Sequence, residues 1–132
     1  MNIIITGASR GFGKAIAEIF AANGYNLYLS SRNAVGLYKA MEELTTRFPE
    51  VSIKAKPFDL SQKEQVKSFA HWLLEMHVSI DILVNNAGSF EPGSVYNEPE
   101  GTMESMMAAN FFSAYHLTRA LVPALTARQS GH

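Results

Sequence analysis

The sequence predicts an α/β protein, a parallel sheet wound on both faces by helices. Three observations predict it. Short apolar runs alternate along the chain with longer segments of helical periodicity. The first run, Ile3-Ile4-Ile5, is apolar on both faces of a strand, as a buried parallel strand is. Three glycines then crowd the stretch TGASRGFG at residues 6–13, directly before a helical pattern.

The elements follow in order. Residues 3–5 form the first strand. Residues 13–22 form a helix with Ala15, Ile16, Ile19 and Phe20 on its inner face and Gly24 as its stop. Residues 27–29 form the second strand. Residues 34–48 form a helix capped by Asn33, with Leu37, Met41, Leu44 and Phe48 inward. Residues 51–55 are the third strand. Ser61-Gln62-Lys63-Glu64 has the spacing of a capping box and opens a helix that buries Val66, Phe69, Ala70 and Leu73. Residues 80–84 are the fourth strand. One long helix is expected over residues 102–126, with Met103, Met106, Met107, Phe111, Ala114, Leu117 and Leu121 on its apolar side. Pro123 is a potential kink in it. Residues 127–132 read as a loop leading toward a fifth strand.

The 132 residues suit one domain with a real core, 47% hydrophobic and 17% charged. No repeat or linker divides them. Eleven basic against twelve acidic residues leave a net charge of −1, without the basic excess of a nucleic-acid binder. There is no cysteine, hence no disulfide or thiolate metal site, and the four histidines show no metal-ligand spacing. No apolar run has the ~18 residues needed to span a bilayer. A cytoplasmic location is the default expectation.

The first strand-to-helix turn of such a sheet is a phosphate site. Helix N-terminal amides and the helix dipole favour an anion there, and glycine lets it approach the backbone. The spacing is Gly7-x-x-x-Gly11-x-Gly13. A tight turn alone would also use glycine, for positive φ. Arg10 lies inside this turn, and Arg32 lies in Ser30-Ser31-Arg32-Asn33 behind the second strand. In a dinucleotide site that strand end faces the adenosine ribose, where an acid would select a free 2′-hydroxyl. Here there is no acid but a guanidinium, the fork that binds phosphate. Either arginine alone reads equally as a solvated surface residue. Together they favour a 2′-phosphate, hence NADP(H).

These segments resemble the short-chain dehydrogenase/reductase family. The resemblance rests on TGASRGFG (6–13), Asp59-Leu60 behind the third strand, Asn85-Asn86-Ala87-Gly88 behind the fourth, and Asn110 in the helix beyond. It implies a Rossmann-type doubly wound sheet with strand order 3-2-1-4 in this part of the chain. It implies cofactor contacts from Gly7, Ser9, Arg10, Gly11, Phe12, Gly13, Arg32, Asp59, Leu60, Asn86, Ala87 and Gly88. Asp59 would accept from the adenine amino group, with Leu60 beside the ring. Asn85 is expected to bond backbone across to the neighbouring strand. Asn110 would belong to the catalytic tetrad and hold a water in a proton relay. Residues 89–101, SFEPGSVYNEPEG, are expected to border a substrate pocket, although Phe90 and Tyr96 also suit packing.

The family's reaction is hydride transfer between nicotinamide and a carbonyl or alcohol, with a tyrosine acid/base and a lysine four residues later. The 132 residues contain no Tyr-x-x-x-Lys; Tyr115-His-Leu-Thr-Arg119 comes nearest, inside the last helix, and arginine does not exchange protons at ordinary pH. The chain therefore reads as a truncated front half of an NADPH-dependent oxidoreductase, inactive alone. A non-catalytic NADP(H)-binding module is the alternative, and a structural domain without nucleotide is a third. An open fourth strand and the apolar last helix predict a homo-oligomer through one or the other.

Overall fold

The computed structural model describes residues 1–77, 79–126 and 132. Its elements run β1 (Asn2–Thr6), α1 (Gly11–Ala22), β2 (Asn26–Ser30), α2 (Ala34–Arg47), β3 (Ile53–Ala55), α3 (Lys63–Glu75), β4 (Ile82–Val84), α4 (Thr102–Met107) and α5 (Ser113–Thr126), with a π-helical turn, Ala108–Phe112, between the last two. The four strands form one sheet in the order β3-β2-β1-β4. All pairs are parallel, with Ile4 opposite Tyr28 and Leu83, and Tyr28 opposite Lys54. This is the predicted doubly wound sheet.

Strand alternation sorts side chains into two layers. Ile3, Ile5, Leu27 and Leu29 face α1 and α2, where Ala17, Ala21, Leu37 and Leu44 complete one core cluster. Ile4 and Tyr28 face the other way and join Val66, Phe69, Leu73, Leu117 and Leu121 of α3 and α5. Each fully buried leucine, isoleucine or phenylalanine contributes about 1.5–3 kcal/mol by leaving water. In α1 the fully buried line is Gly13, Ala17 and Ala21; of the residues expected inward, Ile16 and Phe20 pack partly buried against this cluster, whereas Ala15 and Ile19 are exposed. Small side chains let this helix sit close on the sheet. The pairs Lys14–Glu43 and Glu18–Arg47 tie α1 to α2. Asn33 caps α2 as expected, its Oδ1 accepting from the Gly36 N–H at 2.9 Å.

The expected single helix over residues 102–126 is interrupted. At the π-turn the Ser113 N–H donates to the Ala108 carbonyl, five residues back. The Ala109 carbonyl, which an α-helix would pair with that amide, accepts from the Ser113 hydroxyl at 2.6 Å instead. The wide turn advances the helix phase. Thr102, Ser113, Leu117 and Leu121 face inward, whereas Met103, Met107 and Phe111 are exposed, contrary to the periodicity reading. Pro123 lies inside α5 without ending it.

At the N-terminal edge of the sheet a polar ladder crosses the strands. The Asp81 carboxylate accepts from the Asn2 N–H at 2.7 Å, and the Asn2 side-chain amide donates to the Ser79 carbonyl at 2.7 Å. The Asn26 amide donates to Asn2 Oδ1 at 3.0 Å, and Asn26 Oδ1 accepts from the Ser52 N–H at 2.9 Å. The outer side of β4 is not bare: His132 donates its N–H to the Asp81 carbonyl and accepts from the Leu83 N–H, both at 2.9 Å. The rest of the predicted loop at residues 127–131 lies outside the described residues.

Candidate functional site

The opposite, C-terminal edge of the sheet opens into a cleft of about 550 Å³. Three loops build it, those behind β1, β2 and β4, with the Phe58–Ser61 turn closing one side.

The loop behind β1 turns through Gly7 (φ +67°) and Gly11 (φ +57°) and is pinned by the Ala8 N–H donating to the Ser30 carbonyl at 3.0 Å. Its glycines differ in role. A Cβ on Gly13 would stand 2.4 Å from the Gly7 carbonyl oxygen and 2.5 Å from Asn86 Nδ2. A Cβ on Gly7 would stand 2.9 Å from the same nitrogen. These two are required by the protein's own packing. Gly11 has nothing within 4 Å and serves the turn and the open side. α1 begins behind it with Arg10 at the cap position, without a side-chain capping bond and without an acid in its first turn. Its first amides therefore remain available to an anion.

Thr6 joins this loop to the one behind β4. Its hydroxyl oxygen accepts from the Asn86 and Ala87 N–H groups, both at 2.9 Å, and donates to the Val84 carbonyl at 3.3 Å. The Asn86 side chain donates to the Thr6 and Gly7 carbonyls at 3.0 and 3.3 Å. The cross-strand role expected of Asn85 thus belongs to Asn86. Asn85 turns the other way and donates to the Thr118 hydroxyl of α5 at 3.0 Å.

Behind β2, Ser31 donates to the Ser9 hydroxyl at 2.9 Å, which holds the two arginine-bearing loops together. Arg10 and Arg32 both line the cleft and both are exposed. Neither has an ion-pair partner among the described residues.

Asp59 and Leu60 line the far wall with Phe58. The expected capping box at Ser61 is absent. α3 starts later, at Lys63 behind Gln62, and Glu64 pairs with Lys67. Ser61 instead gives its N–H and hydroxyl to Asp59 Oδ1 at 3.1 and 2.7 Å, and the Gln62 amide reaches Oδ2 at 3.3 Å. Partial burial pushes the Asp59 carboxyl up, but the Ser61 and Gln62 donors and the Arg32 charge outweigh it and hold it below its ordinary range.

Asn110 sits in the π-turn. Its Oδ1 accepts from the Ser89 N–H at 2.7 Å and its Nδ2 donates to the Ser89 carbonyl at 2.9 Å. The side chain clamps the loop leaving β4, and Ser89 and Ala109, rather than Asn110, line the cleft. Gly88 keeps room for the clamp, since a Cβ there would come within 2.9 Å of Asn110 Oδ1.

The cleft therefore brings together Gly7, Ser9, Arg10, Gly11, Arg32, Asp59, Leu60, Asn86, Ala87 and Gly88 as predicted. Gly13 lies behind the wall, and Phe12 projects outward, 85% exposed. Sequence reasoning assigned no role to Thr6, Ser31 or Phe58, whereas Ser89 opens the 89–101 segment expected to border a pocket; Thr6 and Ser31 had a signal, a hydroxyl at the end of each of two adjacent parallel strands. The lining combines glycine backbone and the first amides of α1, the Arg10 and Arg32 guanidinium groups, and a wall of Phe58, Asp59 and Leu60, a surface chemically able to take an anionic group. Among the described residues no group of His, Asp or Glu side chains is placed to hold a metal, and no helix is long and apolar enough to cross a membrane.

Comparison with known proteins agrees with this geometry. The family model described as short chain dehydrogenase matches residues 1–132. A dehydrogenase/reductase SDR family member 7B of Xenopus tropicalis is 34% identical over 98% of this chain and 43% of its own length. L-sorbose reductase of Gluconobacter frateurii, solved with NADPH and L-sorbose, superimposes with a TM-score of 0.89 at 31% identity, over 96% of this chain and 48% of that one. A metagenomic short-chain oxidoreductase solved with NADP gives a TM-score of 0.91 at 31% identity, over 100% of this chain and 59% of that one. The chain thus spans less than half the length of that curated relative. With the strand order, the glycine turn and the Asn86–Thr6 junction all in place, the chain belongs to the short-chain dehydrogenase family.

Proposed function

We propose that these residues are the NADP(H)-binding front of an oxidoreductase that moves hydride between nicotinamide and a small carbonyl or alcohol substrate. The observation that carries the reading is the pair Arg10 and Arg32, held on adjacent loops by the Ser31–Ser9 bond, lining the cleft where the second strand ends without an acid. Two guanidinium groups there suit a 2′-phosphate. The relatives solved with NADPH or NADP support the same cofactor. The nicotinamide supplies or accepts the hydride. This chain's residues bind and orient. The α1 amides hold the pyrophosphate, Asp59 and Leu60 meet the adenine, and Ala87 and Gly88 lie along the ring end. Asn110 acts in the catalytic group through the loop it fixes at Ser89.

No Tyr-x-x-x-Lys lies within the 132 residues, so on their own they bind without turnover. A second reading is a non-catalytic NADP(H)-binding module. The two separate cleanly. If the complete gene product oxidises NADPH with a ketone or aldehyde, while residues 1–132 bind NADPH without oxidising it, the first reading holds. Binding without turnover by the complete product favours the module. Turnover by residues 1–132 alone overturns the division of labour.

We assign the exposed apolar residues of α4, the π-turn and α5 (Met103, Met107, Phe111, Phe112, Tyr115 and Val122) to pairing with a second copy. Sedimentation equilibrium should show a dimer or larger, and Phe111→Asp should shift it to monomer; a monomeric native chain contradicts this. The lack of cysteine is compatible with work in the reducing cytoplasm, and fractionation of cells tests that location.

A further inference from the structure

The loop at residues 89–101 is held to the helices behind it at two places. One is the Asn110 clamp on Ser89. The other is a sulfur contact: the Glu91 N–H donates to the Met106 thioether at 3.4 Å. Among the described residues the loop's other hydrogen bonds run within 94–105, Ser94 with Asn97 and Glu98, Thr102 with Pro99, and the Ser105 N–H with the Gly101 carbonyl where α4 begins. Phe90, Val95 and Tyr96 add no packing, Tyr96 being 98% exposed. Among the described residues the Met106 sulfur is the one hydrogen-bond partner of residues 90–93, beyond their covalent tie to the clamped Ser89.

That sulfur is chemically alterable. Thioethers are soft nucleophiles that convert to sulfoxides under mild oxidants. Met106 is partly buried, on the inner side of α4, between Met103 and Met107, which are 57% and 42% exposed. Oxidant that reaches this helix meets three methionines in five residues, but among the described contacts only Met106 uses its sulfur as an acceptor.

We propose that Met106 is a site of oxidative modification by hydroperoxides, and that its sulfoxide releases the loop at Glu91. A sulfur lone pair attacks the peroxide, the O–O bond breaks and an S–O bond forms. The departing oxygen takes up the proton and leaves as water, or as an alcohol from an alkyl hydroperoxide. Sulfur is oxidised by two electrons and the peroxide is reduced by two. The new oxygen takes one of the two sulfur lone pairs and draws electron density from the other, so the sulfur itself no longer accepts from the Glu91 amide. Release of the loop follows where the geometry keeps the sulfoxide oxygen from taking that amide in the sulfur's place; an oxygen that takes it would leave Glu91 exchange unchanged.

The test is residue-resolved amide exchange on residues 1–132, before and after hydrogen peroxide, with peptide mass spectrometry to assign each sulfoxide. Met103→Leu/Met107→Leu is the protein of choice, because Met106 is then the only methionine on α4. Sulfoxide at Met106 should speed Glu91 exchange roughly threefold to tenfold, the loss of one modest hydrogen bond. Methionine sulfoxide reductase should restore the original rate. Met106→Leu exposed to the same peroxide should show no further change in the loop; if that variant does not fold, reductase rescue decides alone. Two results overturn the proposal: Met106 remaining reduced while Met103 and Met107 of the native chain are fully oxidised, or Met106 sulfoxide forming with Glu91 exchange unchanged.

Discussion

The two ends of the sheet are made from similar residues and do opposite things. At the N-terminal end Asn2, Asn26, Ser52, Ser79 and Asp81 satisfy one another across the strands. At the C-terminal end Thr6, Asn86 and the Ser9–Ser31 pair close the hinge between the loops, and Asp59 and Asn110 find partners in Ser61 and Ser89. Arg10, Arg32 and the first amides of α1 stay open toward the cleft. A buried polar group that finds a partner fixes structure, while one left facing a cavity waits for a ligand. The position of groups along the strands, rather than their type, separates stability from binding.

The comparison breaks first at the hinge, where both roles meet. Gly13→Ala pushes a methyl into the Gly7 carbonyl and Asn86. Overpacking of this kind costs about 1–3 kcal/mol or more, and the variant should show both a lowered melting temperature and loss of NADPH binding. Retention of either property would show that the two loops are not joined there. Arg32→Ala should separate the ends. NADPH affinity falls by about 1.5–3 kcal/mol, roughly tenfold to a hundredfold, with stability changed by less than about 0.5 kcal/mol. Calorimetry and melting on the same sample check both.

Asn26→Ala is the mirror experiment. It leaves the Ser52 N–H and Asn2 Oδ1 short of a partner. Unfolding in urea should show a loss of about 0.5–1.5 kcal/mol, since water reaches these groups, with NADPH affinity unchanged. A loss of affinity would mean that the sheet transmits strain from one end to the other.

The smallest effect is the titration of Asp59. Its carboxyl is lower in the folded state than in the unfolded one. Such a group stabilises fully above its unfolded value, near 3.8, and the contribution disappears as pH falls through the folded value. Stability of the native chain should therefore decline more steeply below about pH 4 than that of Asp59→Asn. Parallel acid-melting curves would remove Asp59 from this account.

The parallel sheet and the cleft were legible from strong local signals, namely three consecutive isoleucines, glycines at fixed offsets and arginines just behind strand ends, while the strand order 3-2-1-4 came with the family resemblance. The phase of the last helix was not. A 3.6-residue period put Met103, Met107 and Phe111 inside, and the π-turn at Ala108–Phe112 turned them outward. Its cause, the Ser113 hydroxyl taking over a backbone carbonyl while Asn110 reaches Ser89, depends on tertiary partners. Ser61 failed as a cap for a related reason, because Asp59 two residues earlier competes for its hydroxyl. Asn85 and Asn86 are neighbours in the loop just behind β4, and their side chains turn to opposite sides of it. Only the assembled sheet shows which one meets Thr6 and which meets Thr118.

The most direct test of the open end is calorimetric titration of residues 1–132 with NADPH and with NADH in the same buffer. Arg10 and Arg32 predict that NADPH binds at least about tenfold more tightly, since only it brings a 2′-phosphate to the two guanidinium groups. Equal affinities, tighter NADH, or no binding of either would contradict the assignment of this cleft.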